Sequence, residues 1–122
     1  MTIKNLLLVA FGGGLGASFR YWIFFIVKNY SFPYATLIVN IVGSFVLGII
    51  IALSFKMNNF PEAAKLFFGI GFCGGFTTFS TFSFENIELI QQGKFNLAFL
   101  YIFASVAGGV LATWLGFKLI NQ

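Results

Sequence analysis

The sequence predicts an all-α membrane protein of four transmembrane helices, with the third helix broken in mid-membrane. Three observations predict it. Only 8% of the 122 residues are charged and 59% are hydrophobic, whereas soluble domains carry about 25% charged residues. The apolar residues gather into stretches at 6–27, 34–55, 63–90 and 97–120, and about 20 apolar residues cross a bilayer. The third stretch is longer than the rest and contains Gly74-Gly75, as a kinked or broken span should. Residues 1–122 are expected to form a single four-helix transmembrane domain, with no soluble domain between the spans.

The first span holds Gly12-Gly-Gly-Leu-Gly16-Ala17-Ser18, overlapping pairs of small residues four apart that let helices approach closely. Its apolar run exceeds the 7–15 residues of a signal-peptide core, so it is expected to stay as a span. The second span opens after Pro33, at a helix entrance where proline is tolerated. It carries Thr36, Asn40 and Ser44 at four-residue spacing, which puts them on one helix face. The third opens after Pro61 and meets Gly74-Gly75. Each glycine weakens a helix by roughly 1 kcal/mol relative to alanine, so the break is expected there. If helix resumes after the glycines, Thr77, Thr81, Glu85 and Glu88 share a face. On the fourth span Tyr101, Ser105 and Thr113 align, with Gly109 between them.

Short connections at 28–33, 56–62 and 91–96 join the spans. Four spans put both termini and the second connection on one side, with Lys4, Lys56, Lys65 and Lys118. The other side has Lys28 and Lys94, with Arg20 inside the first span near that end. Orientation follows the Lys/Arg bias, and this bias is weak enough to allow insertion both ways. Cys73 is the lone cysteine and there is no histidine, so an internal disulfide and metal–thiolate spacing are absent. The net charge of +4 is scattered and argues for no nucleic-acid partner; the partner is the lipid bilayer.

Non-helical backbone survives at membrane depth only where protein surrounds it or it lines a wet cavity. Residues 69–84, with their glycines followed by hydroxyls and phenylalanines, therefore read as a pathway or an ion site. Asn40 has two readings: an interhelical hydrogen bond that holds the bundle, or an amide donor facing a ligand. Phe79 and Phe82 would be core filler in a chain with 19 phenylalanines. Their interleaving with Thr77, Thr78, Ser80 and Thr81 favours a second use, since the positive edge of an aromatic ring attracts an anion. Thr77 and Thr78 can also bond back to their own helix carbonyls. The carbonyls freed by a break need donors or a cation; another helix or a bound monovalent cation would serve. Arg20, Glu85 and Glu88 are the ionisable groups within or near spans, and such groups are functional candidates by default. Arg20 can alternatively snorkel to the interface, and Glu88 fits a solvated helix end.

Taken together, these residues resemble the Fluc family of small fluoride channels. The matching pieces are Gly13 to Tyr21, Thr36 to Ser44 and Gly71 to Phe82, and the resemblance covers essentially the whole chain. It implies an antiparallel, dual-topology homodimer with two pores at its interface, each lined by both chains. It implies that Asn40 donates to fluoride and that Phe79 and Phe82 present ring edges to it. Ser80 and Thr81 match a hydroxyl track, which Tyr101 and Ser105 extend. The backbone carbonyls of Gly74 and Thr77 match a central site for a structural sodium ion, and Arg20 and Glu85 match positions near the vestibules. Gly109 departs from the pattern, standing where a further hydroxyl often lies.

The expected function is a passive, fluoride-selective channel, not an enzyme. It would sit in a prokaryotic-type inner membrane, export cytoplasmic fluoride and lower its toxicity. A small dual-topology multidrug exporter shares the length and span count, yet it needs a membrane carboxylate, usually in its first span, which here holds Arg20 and no acid. A non-transporting membrane assembly protein would not need Asn40 in register with Thr36 and Ser44.

Overall fold

The protein, seen in a computed structural model, is described over residues 1–28 and 31–122; the turn expected at 28–33 falls partly outside the described residues. Four stretches of helix are long and apolar enough to cross a membrane. The first is α1 (Ile3–Ile26), opened by Thr2, whose hydroxyl accepts the Asn5 N–H at 3.2 Å, an ordinary N-cap. Next comes α2 (Tyr34–Lys56), directly behind Pro33. The third span, Glu62–Gln91, is composite. It runs through α3 (Glu62–Ala64), a π-helical stretch (Lys65–Cys73) and α4 (Gly74–Phe76), then through extended backbone at Thr77 and Thr78 into α5 (Phe79–Gln91). A tight turn follows, in which Gly93 adopts φ 75°, a left-handed conformation that suits glycine after a helix end. The chain closes with α6 (Phe95–Ile120).

The third span is interrupted as expected, but at a different place. Gly74 and Gly75 are helical, and the break lies at Thr77–Thr78. Threonine, branched at Cβ, is at ease in extended backbone. Thr78 also starts the new helix, its hydroxyl accepting the Thr81 N–H at 3.1 Å. Gly75 is small for another reason: a Cβ there would collide with the Gly13 carbonyl of α1. The polar stripe expected from Thr77 onward therefore begins only at Thr81, because Thr77 lies in the break.

Packing follows the small residues. α1 lies along the π stretch and α4, while α2 packs chiefly on α6 and α5 also rests on α6. Gly12 and Gly16 of α1 sit against the Phe67 and Phe72 carbonyls, and Gly48 and Gly116 bring α2 and α6 together in the same way. Close backbone approach of this kind is how helices associate when lipid removes the hydrophobic drive. Gly12 and Gly16 are four residues apart, whereas the carbonyls they meet are five apart. In an α-helix, residues five apart point about 140° away from each other. The wider π turn is what lets both carbonyls face α1.

Phe32, Phe82, Leu89, Ala98 and Tyr101 form a buried aromatic and aliphatic cluster where α5 and α6 meet the start of α2. The outer faces of α1 and α6 expose Phe11, Phe25, Phe99 and Phe103, as lipid contact requires. At the end shared by both termini, Lys56 Nζ donates to the Ile120 carbonyl at 2.9 Å, a cation on a helix C-terminus.

Candidate functional site

The break is held open by a side chain from another helix. Asn40 of α2 accepts the Thr78 N–H at 2.7 Å and donates from Nδ2 to the Thr78 carbonyl at 3.1 Å. The amide thus supplies both bonds that a neighbouring strand or helix would otherwise give Thr78. One of its two N–H groups remains after this pairing. Thr78 in turn donates from its hydroxyl to Thr81 Oγ1 at 3.1 Å and stands 3.2 Å from Ser80 Oγ. Thr77 bonds back to the Cys73 carbonyl at 2.8 Å.

Beside this clasp is a cavity of about 220 Å³, lined by Asn40 and Ser44 from α2, Thr77, Thr78, Phe79 and Phe82 around the break, and Ser105, Val106 and Gly109 from α6. The four-residue polar spacing on α2 and α6 puts these side chains on facing stripes. Ser105 Oγ is buried and has no hydrogen-bond partner among the described residues. Leaving a hydroxyl so costs about 1–3 kcal/mol, so the cavity offers a donor in want of an acceptor. The Phe79 and Phe82 rings are 5.5 Å apart at 44°. Phe82 is buried, whereas Phe79 is 78% exposed and projects away from the subunit.

The remaining sequence candidates are placed around this cavity and do not line it. Ser80 is exposed and Thr81 half-buried at the start of α5. Tyr101 is fully buried, between the rings of Phe32 at 5.3 Å and Phe82 at 5.0 Å. Its hydroxyl donates to Glu85 Oε1 at 2.9 Å, close to Thr36. Glu85 lines a smaller polar pocket of about 130 Å³ with Ser31, Glu88, Gln92 and Lys94 at the far end of α5. Glu88 is exposed there, as expected of a helix end.

Arg20 does not snorkel away: its Nε donates to the Gly75 carbonyl at 3.0 Å, and its guanidinium lies 6.0 Å from the Phe24 ring. The bond has a cause in the break. The last four carbonyls of any helix lack an intrahelical donor. Here they belong to residues 74–77, since the Thr77 N–H closes on Cys73 and the Thr78 N–H goes to Asn40. Arg20 takes one. Gly74 and Thr77 line the adjoining groove of about 300 Å³ between α2 and the π stretch, and a Cβ at Gly74 would meet only open space. Among the described residues no three His, Cys, Asp or Glu side chains come together. A cation at the break would be held by backbone oxygens, which suit a hard monovalent ion.

Sequence reasoning did not single out Thr78 as the pivot, though Thr78 and Thr81 have the three-residue spacing of a helix cap. It also missed Asn86, a buried amide in α5 whose Nδ2 donates to the Phe82 carbonyl at 2.9 Å. A lone amide in the third span was the available signal.

Comparison with known proteins places this geometry in context. The family described as CrcB-like protein, Camphor Resistance (CrcB), matches residues 7–117. A fluoride-specific ion channel FluC of Leptospira interrogans is 43% identical over 122 residues, covering 98% of this chain and 96% of its own. The FluC of Pyrococcus furiosus is 43% identical over 123 residues and the whole of both chains. That of Azobacteroides pseudotrichonymphae is 42% identical over 120 residues, or 96% of each.

Proposed function

The chain belongs to the CrcB/FluC family of fluoride-specific ion channels, and from that premise we infer how its own residues carry the ion. It is a multi-pass membrane channel of prokaryotic type and not an enzyme. The observation that carries the mechanism is the cavity at the break, where Asn40, Ser105, Phe79 and Phe82 converge. Fluoride gives up water on entering a narrow path and needs strong donors in exchange. The second Asn40 N–H and the unpartnered Ser105 hydroxyl are such donors, and the Phe79 and Phe82 ring edges add weak positive potential without a fixed charge. Without a cation in the path, the ion is bound loosely enough to leave. Ser80 and Thr81 extend the donor track along α5, Tyr101 of α6 backs the Phe82 ring with its hydroxyl given to Glu85, and Arg20 and Glu85 lie towards the two ends.

The pathway needs a second copy of the chain. Phe79 lines the cavity yet projects outward at 78% exposure, an unusual position for a ring meant to line a path. An antiparallel homodimer would present each exposed Phe79 to the partner's cavity and create two pores, and the weak Lys/Arg bias suits it. The carbonyls of Gly74 and Thr77 would then hold a structural sodium ion near the dimer axis. When bound, sodium supplies a fixed positive charge that satisfies oxygens the break leaves without helical donors.

No nucleotide-binding loop occurs in the sequence, so transport is passive. The membrane potential supplies about 2.3 kcal/mol per charge per 100 mV, or about 1.7 decades of concentration. That drives fluoride out of the cytoplasm and lowers its toxicity. The test is efflux from liposomes loaded with potassium fluoride and given a potassium carrier, read by a fluoride electrode. Rapid fluoride release with chloride retained is the expected result. Equal release of both ions would overturn selectivity by this cavity.

A further inference from the structure

We propose that Arg20 sets the sodium affinity of the break, by holding one of the four carbonyls exposed there. This rests on the sodium reading above. α1 contributes no residue to the cavity, yet it carries the chain's single arginine, and that side chain is aimed at the cut end of the third span. Its Nε meets the Gly75 carbonyl at 3.0 Å. The carbonyls assigned to sodium, those of Gly74 and Thr77, belong to the same last turn. The position is fixed by backbone: Gly75 lies so close to Gly13 that no Cβ fits between them, which brings α1 against that turn.

Two cations therefore address one helix terminus. The terminus carries a partial charge of about half an electron, less than either cation, so it cannot neutralise both. A fixed guanidinium within one turn of a bound ion opposes that ion, and partial burial weakens the screening. Arg20 satisfies the Gly75 carbonyl permanently and, by the same charge, holds sodium affinity down. It is a positioning residue for the break as well, since the capped turn leads directly into Thr77 and Thr78.

The experiment measures thermal unfolding of the purified full-length channel against sodium concentration, with N-methyl-D-glucamine holding ionic strength constant. Arg20→Gln removes the charge and keeps an amide donor. Phe24→Glu, one turn further along α1, leaves the Arg20 bond in place and neutralises the guanidinium from the side its ring now occupies. Both should lower the half-saturating sodium concentration roughly tenfold, as loss of a nearby unit charge implies, while Arg20→Lys stays close to wild type. Unchanged or raised midpoints in the neutralised variants would overturn the role of Arg20 while leaving the sodium site standing. A wild-type protein whose unfolding ignores sodium would remove the site itself and the proposal with it. Phe24→Glu decides the question if Arg20→Gln does not fold.

Discussion

Asn40 behaves like a detached piece of backbone, pairing with both polar groups of Thr78 across the gap in the third span. Asn40→Asp would keep the acceptor for the Thr78 N–H and lose the donor to its carbonyl. The orphaned carbonyl should cost about 1–3 kcal/mol of stability. The new charge should cost fluoride far more: about 4 kcal/mol at 4 Å in partly buried surroundings, or roughly a thousandfold in rate. Electrode-monitored efflux at more than a tenth of the wild-type rate would remove Asn40 from the path. The two phenylalanines separate packing from conduction. Phe79→Ile should reduce efflux and lower the melting temperature less than Phe82→Ile, because within the subunit the ring is exposed. Phe82→Ile should reduce both, since Phe82 packs against Tyr101. Wild-type efflux in both variants would leave the rings as filler. The stripe of Thr36, Asn40 and Ser44 was legible because an unbroken helix repeats its faces every four residues. The Arg20–Gly75 and Tyr101–Glu85 bonds were not. They join separate helices, and their phase depends on a π stretch and a break that local spacing does not fix.

The third span shows how elements constrain one another. Gly74-Gly75 suggests the breakpoint from sequence, whereas Gly75, together with Gly71, serves helix packing. Gly71 and Gly75 abut the Val9 and Gly13 carbonyls, opposite the sites where Gly12 and Gly16 abut Phe67 and Phe72. Backbone packed this closely has no room for a methyl group. Gly16→Ala and Gly75→Ala should force α1 away from the third span and destabilise the fold by about 1–3 kcal/mol, the usual range for overpacking. Gly14→Ala is the control from the same helix, because a Cβ there meets nothing within 4 Å. It should be neutral or stabilising by up to about 1 kcal/mol through helix propensity. Thermal unfolding of the three variants side by side would read the difference, and equal melting temperatures would show that the glycine contacts are dispensable. Span number and approximate limits were legible from apolar run length alone. The π winding was not, since it is imposed by matching glycines four apart to carbonyls five apart on another helix.

At the scale of the whole molecule, the arrangement of charge bears on how many chains make a channel. Lys4, Lys56, Lys65 and Lys118 lie at one end, against Lys28, Lys94 and the capped Arg20 towards the other. Arg20 is engaged with the Gly75 carbonyl of the third span, and the lysines alone count four against two. A bias this slight should leave both insertions populated, and an antiparallel dimer draws on both populations at once. A reporter fused after Gln122 is expected to show signal from both sides of the membrane in comparable amounts. Asn58→Lys and Asn59→Lys, in the exposed connection before Pro61, add two charges to the richer end and leave the helices untouched. They should drive the chain to one orientation and depress efflux, because partners of opposite sense become scarce. Co-expression with a version biased the other way by Gln91→Lys, Asn96→Lys and Lys56→Gln should restore activity, since each then supplies what the other lacks. Full efflux from a population shown by the reporter to be uniformly oriented would sink the antiparallel dimer. The exposed Phe79 would then need a parallel neighbour, and the two-pore arrangement would fall with it.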